Sequence, residues 1–415
     1  MLLAITWTKP ASMSYLAYTP QILGYWYSGL WGLLSFTMQM VMILVLGHMI
    51  ALSPLVTRFI YWFVALFKNM SLATVAALVT TLSVAFFNWG LGLIFGAVIA
   101  RKLGEYATDK NLPFNYPLIT AAGYSGLMIW HGGISGSAPL TVAKEGHFLF
   151  DEIGIVSSSV TIFSTQNLIA SLLIIAVLGA FTFFQSKRHR LPEASWKLDK
   201  ASQSKDVDTQ VSFLVMGFAM MMLLVAGWKF VSAWTASNDF FAALNLDFIN
   251  FMLFGLALLL LGNVKRIEKA IGEASSSAAG ILIQFPLYAG IMAIMRESGM
   301  ITLLADGFIA ISTERTYPIF TMLSAALVNL VVPSGGGQWA VQGPVVVEAA
   351  QSLNVSIPKS IMALAYGDQL TNMIQPFWAL PLLGITRIKA SQLLPYTFWF
   401  MVLGVVVYGL ILLLW

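Results

Sequence analysis

Tyr366-Gly367-Asp368-Gln369-Leu370-Thr371-Asn372-Met373-Ile374-Gln375-Pro376-Phe377-Trp378-Ala379-Leu380-Pro381-Leu382 is an apolar span with too many polar side chains inside it, and it reads as a broken transmembrane helix. Its importance lies in having a counterpart. The stretch Tyr124 to Leu140 aligns on it without gaps, so that Tyr124 falls on Tyr366, Pro139 on Pro381 and Leu140 on Leu382. Upstream, Leu82, Ser83 and Asn88 fall on Leu323, Ser324 and Asn329 at nearly the same offset, and Gln39 falls on Gln284 at a slightly larger one. Asn, Gln and Pro are uncommon in apolar helices, so their kept order argues for an internal repeat.

The rest of the chain sets the solvent in which that repeat folds. Its 415 residues are 58% hydrophobic and 10% charged, whereas a soluble domain is about 45–50% apolar with roughly a quarter of its residues charged. Continuous apolar runs such as 213–231, 253–261 and 398–415, separated by short polar loops, have the pattern of helices crossing a hydrocarbon layer roughly 30 Å thick. A transmembrane barrel would alternate apolar and polar residues, so helix is the spanning structure left. The fold expected is all-α and polytopic.

Charge orients the spans. The basic residues Lys187, Arg188, Arg190, Lys197, Lys200 and Lys205 cluster in a central linker, residues 187–210, which the positive-inside rule makes cytoplasmic. It separates a first repeat, residues 1–186, from a second, residues 211–415. In the second half, spans at 211–231 and 248–262 run out and back, Lys265, Arg266 and Lys269 follow inside, a third span runs from 277 to about 295, and the amphipathic stretch 301–311 lies outside. In the first half the span 31–53 runs inward to Arg58, Lys68 and the amphipathic stretch 55–67, the opposite sense. Segments 72–87 and 91–103 flank the tip Asn88-Trp89-Gly90 with basic residues at both ends, as in a re-entrant helical hairpin. Colinear similarity with opposite orientation means inverted-topology repeats, each with a re-entrant hairpin and a broken helix, around a site at mid-membrane. Residues 1–10 read as the tail of a helix whose beginning is missing.

Two glycine tracts interrupt the spans, Trp130-His131-Gly132-Gly133-Ile134-Ser135-Gly136-Ser137-Ala138-Pro139 and Pro333-Ser334-Gly335-Gly336-Gly337-Gln338-Trp339. Consecutive glycines free backbone amides, and a helix starting near Gln338 would aim its positive end at whatever sits there, which suits an anion. Close helix packing is the plainer use of such glycines. The substrate-binding candidates are Asn88, Trp89, Gly132, Gly133, Ser135, Ser137, Ser334, Gly335, Gly336, Gly337, Gln338 and Gln375. Asp368, Thr371 and Asn372, with Asn329 beside them, offer oxygens for a coupling cation; a sodium ion at Asp368 and Asn372 and a proton on Asp368 are both open, as is a buried hydrogen-bond network alone. His131 stands beside the first interruption, where it serves as an anion partner, a proton carrier or a histidine merely bonded in place. No Lys or Arg falls in the tips or breaks, which favours a monoanion over a diacid.

Composition also excludes. The chain has no cysteine, so neither disulfides nor thiolate metal sites arise, and its four histidines are scattered. The net charge of +4 sits in membrane-flanking loops and implies no nucleic-acid role. No phosphate loop, nucleophile elbow or His-rich metal motif is present, so no enzyme and no cofactor beyond a possible Na+ is expected.

At residues 130–140, 325–344 and 363–381 the sequence resembles the AtoE-type short-chain fatty acid transporter family, within the ion transporter superfamily. The most specific pieces are Val332-Pro333-Ser334-Gly335-Gly336-Gly337-Gln338-Trp339, Val341-Gln342-Gly343-Pro344 and Gln375-Pro376-Phe377-Trp378-Ala379-Leu380-Pro381. The resemblance implies symport of short-chain carboxylates such as butyrate or acetoacetate with a cation, by elevator-type movement in a homodimer of the bacterial inner membrane. An acid at Asp368 fits that pattern; His131 stands where a small residue is expected. The competing readings are a carrier of another organic anion such as a dicarboxylate, a sodium/proton exchanger, a channel and a scaffolding protein.

Overall fold

The computed structural model describes residues 1–188, 210–330, 332 and 334–414, and among these every regular element is helical. After a short turn of helix at Leu2–Trp7, the first half comprises α1 (Tyr15–Gly29), α2 (Leu34–Ala51), α3 (Pro54–Ala65), α4 (Met70–Phe87), α5 (Trp89–Asp109), α6 (Tyr116–Tyr124), α7 (Ser137–Val142) and α8 (Thr165–Arg188). The second half comprises α9 (Phe213–Ser237), α10 (Leu246–Leu261), α11 (Val264–Glu297), α12 (Met300–Ile311), α13 (Tyr317–Asn329), α14 (Gly335–Ser352), α15 (Ile357–Thr371), α16 (Pro376–Thr386) and α17 (Ala390–Leu414). From α2 and from α11 onward the order is the same: a long helix, a short amphipathic one, a hairpin, a helix broken in two and a final long helix. Six helices among the described residues are long and apolar enough to cross a membrane, so this is a multi-pass membrane protein.

Local chemistry sets the boundaries. Asn69 and Asn88 cap α4 and α5, the Asn88 side-chain oxygen accepting from Leu91 N–H at 2.7 Å, so a single extended residue turns one hairpin arm into the next. Polar starts of this kind recur at Ser53, Ser212 and Asn245. In lipid, apolar side chains gain little by leaving the solvent for one another, and helices associate where small residues let backbones approach. At Gly96 of α5 an added Cβ would lie 1.8 Å from the carbonyl oxygen of Gly123 in α6, a contact that only glycine permits.

Two boundaries differ from expectation. The loop foreseen around Lys265, Arg266 and Lys269 is helical: α11 runs unbroken from Val264, because Asn263 caps the Lys265 N–H at 2.8 Å and a Lys269–Glu273 pair spans one turn. Only residues 278–297 of it are apolar enough to span. The helix foreseen near Gln338 begins at Gly335, capped by the Ser334 hydroxyl. Lys187 and Arg188 close α8, while the remainder of the basic linker, with Arg190, Lys197, Lys200 and Lys205, lies outside the described residues.

α2 packs on α11 and on α10, while α4 to α8 gather with α13 to α17. Residues 144–163 clasp the first group from the second: Lys144 pairs with Asp247 at 2.5 Å, Glu152 with Arg296 at 3.1 Å, and Phe163 stacks on Phe241 at 3.9 Å. In the same seam the Ser157 hydroxyl, aided by the Phe241 N–H and Ser159, holds the Asp239 carboxyl below its ordinary range.

Candidate functional site

The two helix breaks lie at the heart of the second group. In the first, α6 gives way to two 3-10 turns, Ser125–Met128 and Trp130–Gly132, with Gly133 fully extended before α7. In the second, α15 passes through one such turn, Asn372–Ile374, and Gln375 is extended because the following Pro376 disfavours the helical region. Breaking a helix in lipid strands backbone carbonyls that must find donors. Each break obtains them from the opposite half. The Tyr124 hydroxyl donates to the Asn372 carbonyl at 2.8 Å, and the Tyr408 hydroxyl to the Met128 carbonyl at 2.6 Å. Tyr366, the equivalent of Tyr124, donates to Asn167 Oδ1 at 3.1 Å, and Asn167 Nδ2 donates to the Gly132 carbonyl at 2.8 Å.

The hairpin tips are tied to their own breaks. Trp89 N–H donates to the Ser135 hydroxyl at 2.9 Å, and the Gln375 amide donates to the Asn329 carbonyl. Asn329 Nδ2 lies 2.7 Å from the Asp368 carbonyl, 2.9 Å from Thr371 Oγ1 and 2.9 Å from Asn372 Oδ1. An amide nitrogen has only two hydrogens for those three oxygens. Of the oxygens proposed from sequence for sodium, those of Thr371 and Asn372 therefore face an amide, together with the Asp368 carbonyl, while the Asp368 carboxylate faces His131; Thr371 and Asn372 fit an ion only with the Asn329 side chain turned away.

Between the breaks sits a fully buried pair. His131 Nδ1 is 2.8 Å from Asp368 Oδ2, and both side chains are 0% exposed. Ala138 N–H lies 3.1 Å from His131 Nε2, which makes that nitrogen the acceptor and assigns the ring proton to Nδ1, facing the carboxylate. His131 N–H donates to Gln369 Oε1 at 3.2 Å, and the ring stacks on Trp130 with centroids 4.6 Å apart. Trp130 in turn packs on Trp89 at 5.6 Å. The second tip closes on the same pair of rings: a Cβ on Gly335 would lie 2.7 Å from His131 Cε1 and 2.7 Å from Trp130 Cη2.

Several buried polar atoms here have no partner among the described residues. The acceptors are Asp368 Oδ1, Asn329 Oδ1 and Gln338 Oε1; the donors include Asn88 Nδ2, Trp89 Nε1, Trp130 Nε1, Gln369 Nε2 and Asn372 Nδ2. Backbone partners orient the key amides: Asn88 Oδ1 and Gln369 Oε1 accept N–H groups, whereas Gln338 Nε2 and Asn329 Nδ2 donate to carbonyls. Each such atom costs about 1–3 kcal/mol, and a cluster of them is where a ligand returns what folding spent.

The chain matches the short chain fatty acid transporter family over residues 1–415. It belongs to that family. Two relatives, from Haemophilus influenzae and Escherichia coli, are each named "Putative short-chain fatty acid transporter"; they are 33% and 34% identical over 390 residues, 89% of this chain and 85% and 84% of theirs. The solved Alcanivorax borkumensis YdaH transporter, described as having an unusual topology, is similar over 100% of this chain and 96% of its own, with 17% identity and a TM-score of 0.58. Neisseria gonorrhoeae MtrF, described with a class of antimetabolite efflux pumps, is similar over 89% of this chain and 79% of its own, with 16% identity and a TM-score of 0.55. At those identities the likeness is one of fold.

In this member of the short-chain fatty acid transporter family, Asn88, Trp89, Gly132, Gly133 and Ser135 gather at the first tip and break. Asn329, Ser334, Gly335, Gln338, Asp368, Thr371, Asn372 and Gln375 gather at the second, and His131, Trp130 and Gly335 join the two sets. Three candidates lie to one side. The Ser137 hydroxyl is 3.3 Å from Met40 Sδ, and Gly336 and Gly337 pack against Phe36 of α2 and Tyr288 of α11. Of the amides foreseen as free, Gly337 N–H is capped by Ser334 Oγ at 3.3 Å and Gln338 N–H donates to the Ser334 carbonyl at 2.6 Å. Sequence reasoning left out Trp130, Gln369 and the pairing of His131. The signal available was the stacking-capable Trp130-His131 pair at the lip of a glycine tract.

Proposed function

We propose that this transporter carries short-chain monocarboxylates of the butyrate and acetoacetate kind across the bacterial inner membrane, coupled to a cation, by alternating access. The observation that carries the reading is Asp368, fully buried, with one oxygen on His131 and the other without a partner among the described residues. An ionised carboxylate in hydrocarbon is costly and is kept for a charge it must bind. A proton is the ion this geometry favours, since both nitrogens of the His131 ring are already bonded and Asp368 Oδ1 is the position of the pair left open to one. Sodium is the second reading, through Asp368, Thr371 and Asn372 once Asn329 turns. With no Lys or Arg in tips or breaks, a single negative charge is what the site can offset with one cation.

The repeated element order and the crossed tyrosines support two inverted repeats with re-entrant hairpins, residues 1–186 and 211–415, and a cytoplasmic linker between. The packing of α2, α10 and α11 as one group against the hairpins and breaks supports elevator-type movement of the second group along the first, in a homodimer. The test is counterflow of labelled butyrate in proteoliposomes with imposed pH or sodium gradients. Proton coupling of one monoanion predicts accumulation of about tenfold per pH unit, and Asp368→Asn should abolish accumulation. Failure to exchange butyrate under every gradient, with exchange of larger anions, overturns the substrate; accumulation driven by sodium alone overturns the proton.

A further inference from the structure

We propose, resting on the carrier reading above, that the substrate carboxylate is received by neutral N–H donors, the indoles of Trp89 and Trp130 with the amide of Gln369, and that Trp130 is the anchor of the set. A carboxylate presents only acceptors, so its complement is a cluster of donors lacking partners. Trp89 and Trp130 are each 4% exposed and Gln369 is 0% exposed, and the Trp89 Nε1, Trp130 Nε1 and Gln369 Nε2 atoms have no acceptor among the described residues. An indole can only donate, and the His131 N–H on the Gln369 oxygen leaves its Nε2 hydrogens facing no acceptor.

These groups form one neighbourhood. Trp130 packs on Trp89 at 5.6 Å and stacks on His131 at 4.6 Å, His131 N–H bonds Gln369 at 3.2 Å, and Trp130 Cη2 abuts Gly335 of the opposite tip. Trp130 is thus in contact with both tips. The acceptors without partners, on Asn329, Gln338 and Asp368, all belong to the second half. They repel a carboxylate and suit the coupled cation, while the donors come from both halves, Asn88, Trp89 and Trp130 from the first and Gln369 and Asn372 from the second, so the anion sits toward the two indoles and the cation toward the Asp368 side. Neutral donors bring no fixed charge of their own, which leaves the cation to offset the anion and links the two in binding. The apolar faces of the same indoles give a short acyl chain its cover.

The assignment is tested by half-saturation of butyrate counterflow in proteoliposomes. Trp130→Phe should raise the half-saturating concentration about tenfold to a hundredfold, the range of one hydrogen bond to a charged group, with the maximal rate kept. Replacing Trp130 by β-(3-benzothienyl)alanine, which exchanges the indole N–H for sulfur at nearly constant shape, should do the same without disturbing packing. Trp399→Phe, at a ring 51% exposed, should change neither quantity. An unchanged half-saturation in the benzothienyl protein, with wild type exchanging butyrate, overturns the assignment alone. No butyrate exchange by wild type overturns both it and the function on which it rests.

Discussion

Where the second break carries Asp368, Thr371 and Asn372, the equivalent positions of the first carry Gly126, Ile129 and Trp130. The backbones do the same thing in both places, running helix, 3-10 turn, extended residue and helix, and each is closed by a tyrosine from the other half. The side chains do opposite things. The second break faces its tip with oxygens, and the first has none at those positions and offers an indole donor and a histidine that reaches across to Asp368. On the function proposed above, two breaks of like backbone differ at three positions so that one suits a cation and the other an anion.

The largest expected effect breaks the asymmetry at its bridge. His131→Leu leaves Asp368 buried without its partner, and removing one member of a buried pair costs about 3–5 kcal/mol. Thermal unfolding in detergent at neutral pH should show that loss, and adding Asp368→Asn should recover most of it, since no orphaned charge then remains. A loss equal in the single and double variants would mean that packing against Trp130, not charge, is what His131 supplies.

A smaller effect compares the two tips. Gly335→Ala places a methyl 2.7 Å from two stacked rings that have no flexible end to move, whereas Gly90→Ala meets Leu44 backbone at 3.1 Å and 3.2 Å. Overpacking costs about 1–3 kcal/mol, or roughly tenfold to a hundredfold if it falls on the transport step. Initial counterflow rates should fall by that much for Gly335→Ala and by clearly less for Gly90→Ala. Equal losses would argue that the tips are equivalent in use as well as in origin.

Much of this was legible in order of residues. Broken spans, hairpins and their pairing followed from Asn88 and Asn329, from the two glycine tracts and from Tyr124 and Tyr366, because irregular backbone in lipid needs polar residues and glycine at fixed places. Asp368 stood out as an acid in an apolar span. What escaped was whatever depends on contacts across the chain. His131 and Asp368 are far apart in sequence, and nothing near either names the other. Trp130 is one of 13 tryptophans, and what sets it apart is a buried indole without an acceptor that also stacks on His131 and meets Gly335. The charged start of α11 read as a loop because hydropathy marks where a helix enters the hydrocarbon, not where it begins.

The smallest effect tests the equivalence from which the comparison starts. Tyr124→Phe removes the donor to the Asn372 carbonyl, and Tyr366→Phe removes the donor to Asn167, which holds the Gly132 carbonyl. Each deletion costs about 1 kcal/mol for the bond itself, and more if the buried acceptor finds no substitute. Asn372 O lies 3-10-bonded to Gln375 N–H at 3.3 Å and keeps that partner, whereas Asn167 Oδ1 has no other donor among the described residues. The melting temperature should therefore drop in both variants, somewhat further in Tyr366→Phe. The two losses should also add in the double variant, because the hydroxyls share no partner. Marked non-additivity would mean that the two breaks relax together, and the picture of one scaffold used twice for opposite charges would give way to a single coupled network.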